Sequence, residues 1–253
     1  DLGYEQIYDI RDFTGTREDG FDLYDVEAGI AFSEIKPGQR ADVSKIAGER
    51  TTVYFAKYMA ALGWDVTWLE NQKFWLMEDT AKAFRDEYYR YRASVAYAVI
   101  EAIASTYNVT WKGTEGDPCV SRDVETINYA CEAVLDRCDD LGMGVTANTP
   151  LVLLAPVLLK GRIQSALAYN QVHDSTQRHF LAFNVIPVYT MLLSTENVYY
   201  ICLPGRKAKG GYRQDLTLAG FDDKLADLSG VVGKGQYAFA IGDIRQFARC
   251  AIS

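Results

Sequence analysis

Two histidines and five cysteines limit the chemistry this 253-residue chain can hold. His173 and His179 flank Asp174 in a polar stretch, but a metal centre needs further ligands that the sequence does not nominate. They read as surface histidines. Cys119, Cys131, Cys138, Cys202 and Cys250 are odd in number and contain no C-x-x-C pair, so neither a zinc site nor a disulfide framework is indicated. Cys131 and Cys138 lie seven apart on one helix face. All five read as buried thiols acting as small hydrophobes, with a reducing compartment as the default expectation.

Other motifs are weaker still. Ser33-Glu34-Ile35-Lys36 has the S-x-x-K spacing by which a lysine activates a serine, yet it lies among turn residues and lacks the companion S-D-N and K-T-G motifs. Gly230-Val-Val-Gly233-Lys234-Gly235 is a phosphate loop only in part, because that spacing needs glycine at 228 and Ser or Thr at 235, where Leu228 and Gly235 stand. Asp139-Asp140 and Asp222-Asp223 are expected at solvated helix ends or turns. No Gly-x-Ser-x-Gly elbow is present. No catalytic, cofactor-binding or metal-binding residue is therefore nominated, and the chain is not expected to be an enzyme. One cluster stands out: Arg206, Lys207, Lys209 and Arg213 concentrate positive charge in an acidic chain, to meet an acidic neighbour, a phosphate backbone or solvent.

Composition sets the class. Lys+Arg 26 against Asp+Glu 34 leaves −8, which argues against a nucleic-acid binder working through a basic surface. No apolar run approaches the ~20 residues of a membrane helix, and residues 1–25 carry no signal-peptide pattern. At 49% hydrophobic and 24% charged, the chain is an ordered globular one.

The elements that must position any function are of unusual kinds. Residues 1–28 are acidic and turn-rich, an extended arm that orders only against something else. Residues 29–60 form a long hairpin, with Pro37-Gly38 as a turn and a polar tip carrying Lys36, Arg40, Lys45, Glu49 and Arg50. Phe84, Tyr88, Tyr91, Val95, Val99 and Ala102 mark one face of a helix from about Asp79 to Ser105. Val124, Ile127, Cys131, Val134, Leu135 and Cys138 mark a second helix, ended by Gly142. Leu151–Ala155 is a buried strand, Pro156 starts a third helix, and residues 170–179 are a polar loop. Strands are expected over 180–193, 198–203, 212–218 and 237–252. Helices followed by clustered strands give an α+β fold. An arm, a protruding hairpin and a long helix without a catalytic constellation fit a subunit completed by its neighbours.

Two stretches carry a family resemblance. Gly48 to Ile103 is similar to the strand, short segment and spine helix of tailed-phage major capsid proteins of the Hong Kong 97 fold, and Val124 to Tyr169 to their helix, glycine-bearing loop (Leu141-Gly142-Met143-Gly144) and apolar strand-to-helix step (Leu153-Leu154-Ala155-Pro156-Val157-Leu158-Leu159). The chain looks closest to the head proteins of Mu-like phages.

The resemblance implies an N-terminal arm over 1–28, an extended loop over 29–60 lying across a neighbour, and a peripheral domain with the spine helix over 61–109. It further implies an axial domain over 110–235 and a final strand, 236–253, returning to the peripheral domain. Copies would join as hexamers and pentamers into an icosahedral shell around double-stranded DNA, touched weakly and non-specifically. Scaffold, portal and decoration proteins are the other implied partners. The implied location is the virion, assembled in the bacterial host cytoplasm, without membrane or cofactor. Asp1 as first residue fits loss of a scaffolding segment to a head protease. Lys36 and Lys45 are available for the loop crosslink some relatives form, though no partner asparagine is identified. Candidate intersubunit residues are Lys36, Arg40, Lys45, Glu49, Arg50, Arg206, Lys207, Lys209 and Arg213. Two alternatives stand beside the capsid: a cellular nanocompartment shell of the same fold, and an α+β enzyme whose site is scattered in the sequence.

Overall fold

A computed structural model describes residues 2–25, 49–103, 107–113, 116, 118–174, 177–223 and 228–252. Its centre is a five-stranded mixed sheet in the order β5-β13-β10-β6-β9, built from β5 (Asn108–Val109), β6 (Leu151–Pro156), β9 (Val185–Thr190), β10 (Val198–Cys202) and β13 (Phe247–Ala251). All six residues of β6 are buried, as a run of apolar residues without alternation requires of a strand covered on both faces.

The period of two along these strands divides the interior into two cores. Leu151, Leu153 and Ala155, with Tyr199, Ile201, Ala248 and Cys250, pack against α3 (Cys119–Asp140) and α4 (Lys160–Leu167). The intervening residues Val152, Leu154, Tyr200, Cys202 and Phe247 face the other way, onto α2 (Phe74–Glu101) and onto Tyr4, Ile7 and Tyr8 near the N-terminus. On α3 the expected face is the buried one: Val124, Ile127, Cys131, Val134, Leu135 and Cys138 all lie in the first core. Each leucine there is worth ~2–5 kcal/mol against alanine.

The second sheet runs β1-β11-β12-β4, from β1 (Asp9–Asp12), β4 (Ala56–Asp65), β11 (Ala208–Asp223) and β12 (Leu228–Ile241). The hairpin β11–β12 is long and bulged between Tyr212 and Thr217. Helix α2, 28 residues and ~42 Å long, lies along this sheet and ends on the central one. Two smaller ladders complete the fold: β2 (Gly20–Asp25) with β3 (Glu49–Tyr54), and β7 (Asn170–Asp174) with β8 (Gln177–Phe180). The short helix α1 (Val66–Glu70) links β4 to α2.

Several expectations change. The spine helix starts at Phe74 and ends at Glu101, and the residues it buries are Arg92, Ala93, Ala96, Tyr97 and Ile100, while Tyr91 is half exposed. Alanines at 93 and 96 let the helix approach the central sheet closely, while Phe84 and Tyr88 of the bulkier stripe pack over Gly233 and Gly235 of β12. Of the stretch 170–179 expected as a loop, 170–174 and 177–179 belong to the paired strands β7 and β8. Of the expected hairpin, 29–48 lies outside the described residues, and Thr51–Tyr58 is divided between β3 and β4. The strand opposite β3 is Gly20–Asp25, so the ladder begins inside the segment read as an arm.

Within the range 110–235 expected for the axial domain, β11 and β12 pair with each other, and β12 pairs with β4 from Tyr237↔Ala56 to Leu228↔Asp65. The stretch 236–253 divides: its start completes β12, and after the 3-10 turn Ile244–Gln246 it enters the central sheet between β5 and β10. Asp243, accepting from the Arg245 N–H, makes that break.

Candidate functional site

The charged residues singled out above gather where the N-terminal segment crosses the β11–β12 sheet. Strand β1 runs parallel to β11 with Asp9 opposite Lys209, and their side chains form an ion pair. Arg11 reaches the same carboxylate at 3.5 Å. The hydrogen bond from Lys209 lowers the Asp9 pKa below the usual carboxylate value, with Arg11 adding to it. Arg213, on the β11 bulge, pairs with Asp19. Asp22, on β2, accepts from Thr52 Oγ1 at 2.8 Å and pairs with Arg50 at 2.9 Å, and these two partners, in that order, lower its pKa. Lys207 Nζ stands 3.8 Å from Asp243, which Arg245 grips through both carboxylate oxygens.

Of the basic cluster, Lys209 and Arg213 thus pair with Asp9 and Asp19 of this chain's own N-terminal segment, and Lys207 lies beside Asp243. Arg206 is exposed at φ 56°. Glu49 opens β3 opposite Asp25. Lys36, Arg40 and Lys45 lie outside the described residues. The other motifs do not assemble into chemistry. Gly230–Gly235 is extended strand inside β12, not a phosphate loop. Asp139 and Asp140 end α3 in solvent, and Asp222 is exposed near the end of β11. Ser33 and Lys36 lie outside the described residues. Among those described, no cluster of three or more His, Cys, Asp or Glu could hold a metal. Cys131, Cys138, Cys202 and Cys250 are buried, while Cys119, at the exposed start of α3, departs from the expectation. Burial pushes the Cys138 thiol up to about 11 and Cys250 to about 12, so neither is a nucleophile at neutral pH.

The sequence reading passed over an apolar surface along the spine helix. Tyr58, Met59, Phe84, Tyr88, Tyr91 and Leu216 line a cleft of about 370 Å³ between α2 and the β4–β12 ladder. Glycines make this approach possible: a Cβ at Gly233 would stand 2.6 Å from the Phe84 ring, and one at Gly235 would overlap the Tyr88 hydroxyl. Beneath the cleft, Arg92 is buried with its guanidinium 5.0 Å from the Tyr212 ring and 5.8 Å from that of Tyr237, and Nη1 is 3.4 Å from Asp215. Burial, helped by Asp215, raises the Tyr88 hydroxyl to about 12, so it stays protonated.

Farther out, Tyr54, Phe74 and Trp75 are 72%, 59% and 67% exposed. The adjacent Phe74-Trp75 pair was the available signal, two large rings side by side at the start of the helix, outside its buried face. At the far end of the central sheet, Leu158 and Met191 are 70% and 84% exposed, next to the last β6–β9 pair, Pro156↔Thr190. Apolar surface exposed in both places suits contact with other chains.

No family model and no curated protein matches the chain by sequence. Solved structures do match in shape. The Microbacterium phage Oxtober96 structure superposes with TM-score 0.62 at 13% identity, over 99% of this chain and 90% of that one. The capsid of an empty GTA particle gives 0.61 at 13%, over 100% and 90%. The virus-like particle from Pyrococcus furiosus gives 0.54 at 12%, over 98% and 90%. The fold is the α+β Hong Kong 97-like capsid fold.

Proposed function

We propose that this chain is a major capsid protein whose copies form hexamers and pentamers and close into the icosahedral shell of a tailed phage or related particle, around double-stranded DNA. The observation that carries this reading is the span of the likeness: 96–100% of this chain against 86–92% of the capsid chains, which leaves no sizeable part of the chain for another activity. The role is structural, in the virion, following assembly in the host cytoplasm. A net charge of −8 suits a container, because a basic wall would hold DNA too tightly for packaging and release. Within the fold we assign the chain to the Mu-like head proteins, on the stretches Gly48 to Ile103 and Leu153 to Leu159.

We divide the chain on its strand pairing: the β2–β3 ladder goes to the extended loop, β4, α2, β11 and β12 to a peripheral part, and α3, α4 and the central sheet to an axial part. Lys36, Arg40, Lys45 and Arg206 are the residues we assign to neighbours, while Arg50, Lys207, Lys209 and Arg213 secure the chain's own segments. The P4 procapsid among the similar structures includes a size-determination protein, and a scaffold, portal or decoration partner is proposed here on the same ground.

Purified protein examined by sedimentation and negative-stain microscopy should give closed particles or capsomers. A monodisperse monomer at every concentration tested would overturn the reading. The likeness to the Pyrococcus virus-like particle favours one second reading, a cellular compartment shell. Nucleic acid inside the particle supports the phage, a protein cargo the compartment.

A further inference from the structure

We propose that the outer edge of β4 pairs, strand to strand, with β4 of a second copy about a two-fold axis. The inference rests on the shell-subunit reading and deepens it by naming a contact. Among the described residues β4 is an end strand of its sheet, with no ladder on its outer side. It is ten residues long, and none of them is buried. Free strand edges bind other strands unless they are blunted, and the other end strands of the two larger sheets are blunted. The edge strand β1 has four residues, three of them charged; β5 has two residues; β9 carries Pro187 at its middle. Strand β4, Ala-Lys-Tyr-Met-Ala-Ala-Leu-Gly-Trp-Asp, has no proline, and its two charges sit near opposite ends. An edge of that length and composition calls for a partner.

Its own composition identifies the partner. Identical strands related by a two-fold axis run antiparallel, so each contact is made twice. Placing Lys57 opposite Asp65 of the second copy sets opposite charges together at both ends of the ladder. That register puts Met59 opposite Gly63, Tyr58 opposite Trp64, and Ala61 opposite itself on the axis. Met59 then meets glycine, the rings of Tyr58 and Trp64 meet each other, Leu62 meets Ala60, and no like charges meet. A shift of one residue would set Lys57 against Trp64 and lose both charge pairs. The residues Tyr58, Ala60, Leu62 and Trp64 share the face toward α2, where Trp64 Nε1 donates to Thr80 at 2.7 Å, so pairing at the edge leaves the helix in place. The two sheets would continue as one of eight strands.

The register gives a position-specific test. In a Cys119→Ser background, which removes the exposed native thiol, particles or capsomers carrying Ala61→Cys are oxidised and run on a non-reducing gel. A disulfide-linked dimer is expected, because directly opposed residues bring their Cβ atoms within reach of a disulfide. Met59→Cys alone and Gly63→Cys alone should stay monomeric, and the two co-assembled should crosslink; a Cβ at Gly63 meets nothing closer than 3.8 Å, so that substitution is tolerated. Assembled particles in which Ala61→Cys gives no dimer overturn the pairing and leave the shell reading standing. A folded Cys119→Ser protein that forms neither particles nor capsomers overturns the shell reading and the pairing with it.

Discussion

At the scale of single residues, Arg92 joins more of the molecule than any group near it. It lies on α2, is 5% exposed, and has the Tyr212 and Tyr237 rings of the β11–β12 hairpin and Tyr4 of the N-terminal segment around its guanidinium. Three separate stretches of chain converge on one cation. Its carboxylate partner, Asp215, is itself half exposed, so the ion pair is partly solvated and the aromatic contacts matter as much. Arg92→Ala should cost ~2–3 kcal/mol, lowering the unfolding midpoint by roughly 5–10 °C for a chain of this size. Arg92→Met, which refills the volume, should lose less. Calorimetry on both variants checks this, and equal losses would show that charge, not packing, is what Arg92 contributes.

At the scale of elements, the N-terminal crossing is held by two kinds of force that acid separates. Tyr4, Ile7 and Tyr8 are buried in the second core, whereas residues 9–25 are held by carboxylates: Asp9 on Lys209 and Arg11, Asp19 on Arg213, Asp22 on Thr52 and Arg50. The pKa values of Asp9 and Asp22 are lowered by these partners, and Asp12 is lowered by accepting from Thr14. A carboxylate with a lowered folded pKa adds stability that is full above its unfolded value of ~3.9 and is lost as pH falls through the folded value. Between pH 5 and 3, hydrogen exchange corrected for intrinsic rates should rise first in residues 9–25, with β6 and β10 still protected. Simultaneous loss of protection would show that these contacts add nothing separable. The same elements show what was legible in the sequence. Helix α3 and strand β6 were readable because each buries an uninterrupted pattern of its own period. The pairing of β12 with β4 was not, since its partners are more than 160 residues apart and its glycines reflect rings packed from another element. The acidic arm and the basic cluster were each visible as charge, but only the fold shows that they neutralise each other.

At the scale of the whole molecule, the two cores share one central sheet, and among the described residues neither draws one from 22–25 or 49–57. The β2–β3 ladder is rooted at its base, where Phe13, Phe21 and Phe55 pack with ring centroids 5.3–6.1 Å apart. The subunit's stability and the segment between Asp25 and Glu49 are therefore separable. Asp25 and Glu49 are directly opposite in the ladder, so an Asn-Gly turn can replace residues 26–48 without disturbing the pairs below it. The shortened chain should keep its circular dichroism spectrum and an unfolding midpoint within a few degrees of the parent, because a shorter loop costs no core contact and slightly less closure entropy. It should also fail to form particles, since Lys36, Arg40 and Lys45 leave with the segment. The two readouts answer different questions. Normal particles would mean that this segment is not an intersubunit element. A large fall in the midpoint would instead mean that the segment packs on its own subunit, with the two cores no longer sufficient for the fold.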